Sequence, residues 1–310
     1  MIKPTVICLT PVKNEEWILE KFLAAASLWA DVIIVADQNS TDLSRDIVRS
    51  FPKARLILND SSEFNEPERQ KLLIDEARKI PGKRLLIALD ADEFLSGDAW
   101  NSDEWNRMLE QEEGTIFKFK WPFVSSDFSY CWAGDRARQP FACMDADELL
   151  HGGSIIHSCR VPILNHKKVV EVESFSVMHF QFTDWQRMES KHRWYQCYER
   201  ITFPNKTAIE IFRRYSHMYR LADADKSPMP SAWLENYLKF GIDLKHIKKI
   251  DKYYWDAEIE KMKSEYGVEL FKYIDLPEND NLMLRYLRAT RSWNYSLVER
   301  AFSRFVRLFS

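Results

Sequence analysis

The sequence has few glycines, little net charge and no long apolar run, and each shortage excludes a class of protein. Eight glycines in 310 residues are too few for a fibrous or low-complexity chain. A net charge of −3 gives no reason to expect nucleic acid as a partner. No apolar run approaches the roughly 20 residues that a helix needs to span a bilayer. Hydrophobic residues make up 45% of the sequence, and a chain of this length and composition instead predicts a globular protein of one large domain with an appendage, or of two domains.

The five cysteines are odd in number and no two of them have CxxC spacing. This pattern argues against a disulfide framework or a zinc site, and it favours a reducing compartment. The chain begins at Met1 and runs directly into a strand-like segment without the pattern of a signal peptide. We therefore expect the protein to be cytoplasmic.

Strand-like and helix-like segments alternate through the first hundred residues. The segments with strand character are 5–9, 31–36, 55–58 and 84–89. The clearest segments with apolar residues at helical spacing are 14–29 and 66–79. This alternation predicts βαβ units, and hence an α/β fold with a mixed, mostly parallel sheet that carries helices on both faces.

After residue 114 the pattern changes. Residues 115–121 alternate between apolar and polar and predict an antiparallel strand, whereas 122–165 contain several glycines and prolines and predict irregular structure. From residue 184 the pattern is largely helical. We place a domain boundary near residue 225, so that 1–225 form the α/β domain and 226–310 a helical C-terminal region.

The most informative segment is an apolar run that ends in two carboxylates, Asp90 and Asp92, separated by Ala91. The run predicts a strand buried on both faces, and side chains two residues apart on an extended chain point the same way. Open α/β sheets bind ligands at the carboxyl ends of their strands. Paired carboxylates at such an end can hold a divalent cation, which in turn can hold a diphosphate.

Three segments, each following a strand, together resemble the inverting family-2 glycosyltransferases with the GT-A fold. They are Thr10-Pro11-Val12-Lys13-Asn14-Glu15-Glu16, Val35-Ala36-Asp37-Gln38-Asn39-Ser40-Thr41-Asp42 and Asp90-Ala91-Asp92-Glu93. The resemblance covers residues 4–100 well and 115–200 loosely. It departs from the family at Gln38, where a second Asp is common, and at Asn39, where Gly is common. Because Asn tolerates left-handed backbone angles, we expect the turn to survive.

The resemblance implies a nucleotide-sugar donor and a divalent metal, Mg²⁺ or Mn²⁺. It assigns Asp37 to the base or ribose, Asp90 to the ribose and Asp92 to the metal on the diphosphate. The other positions that it assigns to the donor are Thr10, Pro11, Asn14, Glu15, Ala91, Arg69 and Lys191. An ordinary surface arginine on a charged helix is the alternative interpretation of Arg69.

His179 ends a strand-like segment, and in similar transferases a histidine at such a place completes the metal shell. The alternative is a core histidine that hydrogen-bonds to the backbone. The catalytic base should come from the irregular segment after the metal-binding strand, because it must reach the acceptor hydroxyl. Asp147 is our first candidate and His157 the second, with Asp145 and Glu148 as further candidates.

The resemblance thus implies a transferase that moves a sugar with inversion onto the hydroxyl of a saccharide or lipid-linked saccharide, in bacterial surface polysaccharide synthesis. The alternatives are a sugar nucleotidyltransferase and a non-catalytic nucleotide-sugar-binding protein. The first alternative would normally show a Gly-rich phosphate loop after the first strand, and residues 10–16 contain no glycine. Residues 281–310 are rich in arginine and apolar residues, which indicates either peripheral membrane contact or a helix packed on the domain.

Overall fold

The computed structural model describes residues 3–61, 65–146, 158–162 and 168–293, with no side-chain description for 134–137. Its strands are β1 (Thr5–Val12), β2 (Val32–Asp37), β3 (Ala54–Leu58), β4 (Arg84–Ala88), β5 (Glu93–Leu95), β6 (Ile116–Val124), β7 (Tyr130–Met144), β8 (Val169–His179) and β9 (Lys226–Pro228). Its helices are α1 (Leu19–Ala26), α2 (Ser44–Arg49), α3 (Glu66–Arg78), α4 (Asp103–Leu109), α5 (Trp185–Thr202), α6 (Ala208–Arg214), α7 (Ala232–Leu238), α8 (Tyr254–Tyr266) and α9 (Leu282–Ala289). None of these described helices has the length and apolar character needed to cross a membrane.

The sheet is mixed, and its strands follow the order β3-β2-β1-β4-β7-β6-β8-β5. The pairs β3–β2, β2–β1 and β1–β4 are parallel, as are β6 and β8, whereas β7 runs antiparallel to both β4 and β6. The predicted α/β fold with a mostly parallel sheet is therefore confirmed. The expected antiparallel strand near residues 115–121 is also present, as β6.

The central strands are buried on both faces, which explains the continuous apolar run of β4. Alternate residues such as Ile7, Ile34 and Leu86 join the core cluster formed with α3. Their neighbours along the strands, including Cys8 and Ile87, are also fully buried and point to the opposite face. At the start of α3, the Asn65 side chain accepts the N–H of Glu68 at 3.2 Å and so caps the helix.

One expectation about secondary structure is wrong. Glycines and prolines within 122–165 predicted irregular structure, yet residues 130–144 form the long strand β7. Its register with β6 shifts at Lys118 and again at Pro122, both in β6. At each shift a bulge interrupts the ladder of backbone hydrogen bonds, and the two strands pair again beyond it. Its last residues pair with β4, with Met144 opposite Leu85. Pairing with strands on both sides therefore outweighs the local preference of the sequence.

By packing, the chain divides into two compact units. The first comprises Met1–Thr183 and Pro228–Lys249 and contains the sheet. Within it, α7 is anchored by Tyr237, whose buried hydroxyl donates to the carbonyl of Leu95 at 2.7 Å. The second comprises Asp184–Ser227 and Ile250–Ser310 and is helical in its described part. The domain boundary near residue 225 stays a prediction.

Candidate functional site

The carboxyl ends of three adjacent parallel strands meet at one edge of the sheet. The last residue of β2, Asp37, lies opposite Val12, the last residue of β1. The backbone N–H of Leu89, just after β4, donates to the carbonyl of Leu9 at 3.0 Å. Asp90 and Asp92 therefore follow β4 at the same edge, beside the turns that follow β1 and β2. This is the edge at which open α/β sheets bind their ligands.

The turn after β1 is fixed by side chains of the turn after β2. Three consecutive backbone N–H groups donate to oxygens of that second turn: Asn14 to Ser40 Oγ (2.9 Å), Glu15 to Ser44 Oγ (2.9 Å) and Glu16 to Asp42 Oδ2 (3.0 Å). In return, Asn14 Oδ1 accepts the N–H of Thr41 at 2.7 Å. Asn14 and Asn39 both adopt left-handed backbone angles, with φ of 55° and 53°. Asn39 therefore adopts the left-handed backbone conformation expected of this turn.

Asp37 is buried, and its two carboxylate oxygens differ in their surroundings. Oδ2 accepts from Arg45 Nε at 2.5 Å and from the backbone N–H of Ser40 at 3.2 Å. Oδ1 is shielded from solvent and has no hydrogen-bond partner among the described residues. Oδ2 thus fixes the turn, whereas Oδ1 receives no hydrogen bond in the described part of the chain. A buried acceptor without a hydrogen bond destabilises the folded protein unless a ligand supplies an N–H or O–H group.

Asp92 and His179 form the second half of the site. His179, the last residue of β8, pairs with Glu93 across the β5–β8 ladder. Its Nε2 lies 3.6 Å from Asp92 Oδ2, and both side chains are at most 6% exposed. The imidazole stacks on the Trp121 ring with centroids 4.9 Å apart, and neither ring nitrogen has a hydrogen-bond partner among the described residues. The interpretation of His179 as a core histidine bonded to backbone is therefore not supported within these residues.

This pair fits a divalent cation that takes its remaining ligands from a substrate. A buried carboxylate oxygen and a neutral imidazole nitrogen are both acceptable to Mn²⁺. In the part of the chain that the structure describes, no group of three His, Cys, Asp or Glu side chains is arranged around a common metal position. Mg²⁺ and Mn²⁺ in phosphate-handling sites are often held by one or two protein groups together with the phosphates. Asp92 and His179 could supply those protein groups.

Glu93 is a functional candidate that the sequence analysis quoted in its motif but did not select. It is fully buried, and its Oε1 accepts from Trp121 Nε1 at 2.9 Å while Oε2 accepts the N–H of Asp90 at 2.8 Å. Burial raises the pKa of Glu93 to about 7, with Arg160 opposing the rise and the carboxylate of Asp90 adding to it. Glu93 therefore holds the turn that carries Asp90 and Asp92.

Arg160 was missed by sequence reasoning altogether. Its guanidinium lies 2.7 Å from Asp90 Oδ2, ion-pairs with Glu93 and packs over the Phe141 ring. Burial alone would lower the pKa of Arg160, but the carboxylates of Asp90, Glu93 and Glu66 outweigh burial and raise it. Arg160 is separated from Asp90 by seventy residues and belongs to no motif. No pattern in a single sequence could have indicated the pairing.

Arg69 lies on α3, one turn after Glu66. Burial raises the pKa of Glu66, whereas the N–H of Ser158, which donates at 2.7 Å, and the charge of Arg69 lower it. Asp90 and Arg160 act on the same carboxyl group. Arg69 thus acts on Glu66 of the acidic cluster, and its role towards the donor stays a prediction.

Asp145 is placed at the other end of β4. Its carboxylate is buried between Arg78, at 2.9 Å, and Arg84, at 3.0 Å. Its backbone N–H donates to the carbonyl of Arg84, the first residue of β4, whereas Asp90 follows the last. This position does not favour Asp145 as a catalytic base, because the two arginines account for its burial.

The remaining predicted residues belong to several elements. Thr10 is fully buried in β1, where its Oγ1 has no hydrogen-bond partner among the described residues, and its neighbour Pro11 pairs with β2. Glu15 Oε2 accepts Trp17 Nε1 at 2.6 Å. Ala91 is buried between the two aspartates. Lys191 lies on α5 of the second unit, with Nζ 5.9 Å from the centre of the Trp255 ring. Asp147, Glu148 and His157 lie outside the described residues.

No protein-family model and no curated protein matches the sequence. Among solved structures, the glucosyl-3-phosphoglycerate synthase of Mycobacterium tuberculosis, in complex with Mn²⁺, UDP and phosphoglyceric acid, is 19% identical. The match covers 39% of this chain and 43% of that one, with a TM-score of 0.28. An inositol-1-phosphate CTP transferase from T. maritima is 10% identical, covering 61% and 95% of the two chains, with a TM-score of 0.33.

A third structure, a 4-diphosphocytidyl-2C-methyl-D-erythritol synthase, is 19% identical over 48% of this chain and 72% of its own, with a TM-score of 0.29. The chain spans less than half the length of the glucosyl-3-phosphoglycerate synthase. Likenesses of this extent do not distinguish sugar transfer from nucleotidyl transfer.

The described part of the arginine-rich tail is accounted for by packing. In α9, Leu284 and Leu287 are fully buried against Ile209 and Phe212 of α6. The helix therefore buries its apolar face within the second unit. Membrane contact through 281–310 stays a prediction, and residues 294–310 lie outside the described residues.

Proposed function

We propose that the protein transfers a sugar from a nucleotide-diphospho-sugar to an acceptor hydroxyl with inversion, assisted by Mg²⁺ or Mn²⁺. The acceptor would be a saccharide or a lipid-linked saccharide, as in the assembly of bacterial surface polysaccharides. The observation that carries the proposal is the buried Asp92–His179 pair, 3.6 Å apart, at the sheet edge that also holds Asp37. A carboxylate for the base or ribose and a metal pair for the diphosphate are the two halves of a donor site.

The residues of this edge would bind different parts of the nucleotide-sugar donor. Asp37 would accept a hydrogen bond from the base or ribose through Oδ1, while Arg45 holds Oδ2 in place. Asp90 would accept from the ribose. Asp92 and His179 would hold the metal, which when bound neutralises charge on the departing diphosphate. Arg160 compensates the charge of Asp90 and Glu93, so that an acidic cluster can receive an anionic donor.

Nucleotidyl transfer is the second candidate, and the turn after β1 argues against it. An enzyme of that class would use free backbone N–H groups of this turn to cradle phosphates. Here the N–H groups of Asn14, Glu15 and Glu16 already donate to side chains of the neighbouring turn. A non-catalytic binding protein is the third candidate, and metal-dependent turnover would exclude it.

The proposal is tested by the thermal unfolding temperature with a panel of nucleoside diphosphates, each with and without Mn²⁺. We expect one base to raise the unfolding temperature strongly, and only when Mn²⁺ is present, because ligands stabilise the state that they bind. The panel also identifies the donor base. Equal stabilisation by all nucleotides in EDTA would contradict the metal-dependent site.

Asp37 should recognise the nucleoside rather than the diphosphate. We expect Asp37→Ala to weaken the binding of the selected nucleoside diphosphate by ~1–3 kcal/mol, the cost of losing a charged hydrogen bond. Binding of inorganic pyrophosphate with Mn²⁺ should not change, since pyrophosphate has neither base nor ribose. Calorimetry measures both affinities. Asp46→Ala, an exposed carboxylate on α2, is the matched control. A parallel loss of pyrophosphate affinity would reject the assignment.

The catalytic base is proposed from the segment outside the described residues, with Asp147 first and His157 second. The true base should act on the acceptor alone, so its loss should lower transfer steeply and leave donor affinity nearly intact. We expect this result for Asp147→Asn in paired measurements of transfer rate and donor affinity. If Asp147→Asn transfers at the wild-type rate, while His157→Ala binds the donor but does not transfer, the imidazole of His157 is the catalytic base.

A further inference from the structure

The second unit contains a cavity of about 260 Å³ that the proposed transfer reaction does not use. One wall is the face of α5 that carries Glu189, His192, Arg193 and Gln196, at spacings of three and four residues. Arg288 and Arg291, from the end of α9 and just beyond it, line another side. Most of the side chains that line the cavity are therefore charged or polar, and all of them belong to one packed unit.

Positive charge exceeds negative charge around this cavity. Asp275 pairs with Arg288 at 2.7 Å and with Arg291 through its other oxygen, so one carboxylate compensates two guanidinium groups. Glu189 Oε1 accepts the Tyr219 hydroxyl at 2.5 Å. Among the side chains that line the cavity, two carboxylates thus face three arginines, and this excess of positive charge suits an anion.

Of the three arginines that line the cavity, Arg193 lies farthest from its carboxylate partners. Its guanidinium lies 3.7 Å from Glu189 Oε2 and 4.0 Å from Asp256 Oδ1, and both distances are longer than a hydrogen bond. About a quarter of its side chain is exposed, so its donors can reach a ligand. A guanidinium group presents paired donors that match the oxygens of a phosphate.

Gln196 adds a neutral recognition element to the same wall. Its side chain is 5% exposed, and its Oε1 is shielded from solvent without a hydrogen-bond partner among the described residues. A buried acceptor without a donor costs stability in the free protein, and it calls for an explanation. A ligand hydroxyl or amide would supply the missing donor.

We propose that this cavity binds a phosphate monoester of monosaccharide size, with the phosphate on Arg193 and a hydroxyl donating to Gln196. The volume lies just below the range of about 300–1,000 Å³ for ordinary ligand pockets, which suits a sugar phosphate better than a nucleotide. None of the residues that line the cavity belongs to the carboxyl edge of the sheet, and the proposed binding needs no metal. It could therefore exist whether or not the protein transfers sugars.

The test is calorimetric titration of the full chain in EDTA with hexose 6-phosphate, inorganic phosphate and free hexose. EDTA prevents any metal-mediated binding of phosphate at the carboxyl edge. We expect the hexose phosphate to bind more tightly than inorganic phosphate, and free hexose not to bind measurably. Arg193→Gln should weaken both phosphates at least ~10-fold through the loss of charged hydrogen bonds. Arg285→Gln, an α9 arginine that pairs with Asp280 and does not line the cavity, should bind as wild type.

The variant Gln196→Met tests whether Gln196 recognises the ligand, without a loss of stability that would complicate the result. We expect its affinity for hexose phosphate to fall to that for inorganic phosphate, with no loss of thermal stability, because the buried acceptor is removed. Absence of saturable binding to wild type at millimolar ligand, or equal affinities of Arg193→Gln and wild type, would overturn the site. Equal affinities of wild type for the two phosphates would overturn the role of Gln196.

Discussion

We expect Asp92→Ala to abolish Mn²⁺-dependent binding of a nucleoside diphosphate and to lower turnover at least ~100-fold, the order found when one charge-stabilising group is lost. Asp92 is buried, and its Oδ2 lies 3.6 Å from Nε2 of His179. Its removal leaves the imidazole as the remaining member of the metal pair, and a single imidazole holds Mn²⁺ or Mg²⁺ poorly. Calorimetry with and without Mn²⁺ and steady-state kinetics measure the two effects.

The matched control is Asp75→Ala, which removes an α3 carboxylate whose exposed pairing with Lys71 contributes little to stability. It should bind and turn over as wild type. His179→Ala should weaken the same metal-dependent binding, and the double variant should lose less than the sum of the two single losses, because both residues serve one site. Full activity of Asp92→Ala, or of wild type in excess EDTA, would contradict the metal role.

Asp145 should affect stability rather than transfer. We expect Asp145→Ala to reduce the free energy of unfolding by ~3–5 kcal/mol, because it leaves two largely buried guanidinium groups without their shared carboxylate. The side chains of Arg78 and Arg84 are 18% and 8% exposed. Urea unfolding measures the loss, and the transfer rate per folded molecule should stay at the wild-type value.

Asp145→Asn keeps the shape of the side chain and should retain part of the stability, so it covers the case in which the alanine variant does not fold. Asp75→Ala is again the control and should unfold as wild type. An Asp145→Asn protein of wild-type stability that has lost transfer would show that Asp145 acts in catalysis, contrary to its position at the amino end of β4.

The sequence predicted the parts of the fold that depend on local pattern. The buried run of β4 and the periodic apolar residues of α3 appear as expected. Burial on both faces of a strand produces a continuous apolar run, and helical amphipathicity produces apolar residues at helical spacing. The sequence of β7 shows neither pattern. Its glycine and proline indicate loops, and only its pairing with β4 and β6 explains why it is extended.

The candidate site was predictable to a similar degree. Asp37 ends β2, and Asp90 and Asp92 follow β4, so their common edge follows from the alternation of strands and helices. Arg160 reaches Asp90 from seventy residues away, and no spacing in the sequence indicates such a contact. Asp145 was a further candidate for the catalytic base, but it lies at the other end of β4 between Arg78 and Arg84, and the sequence alone does not indicate these long-range pairs.

The most direct test of sugar transfer is to identify the product that leaves the nucleotide. The protein is incubated with Mn²⁺ and either a panel of nucleotide sugars or nucleoside triphosphates with sugar 1-phosphates. We expect release of a nucleoside diphosphate from one nucleotide sugar, dependent on Mn²⁺ and lost in Asp92→Ala. Release of pyrophosphate from a nucleoside triphosphate, with no nucleoside diphosphate from any nucleotide sugar, would contradict it and identify a nucleotidyltransferase.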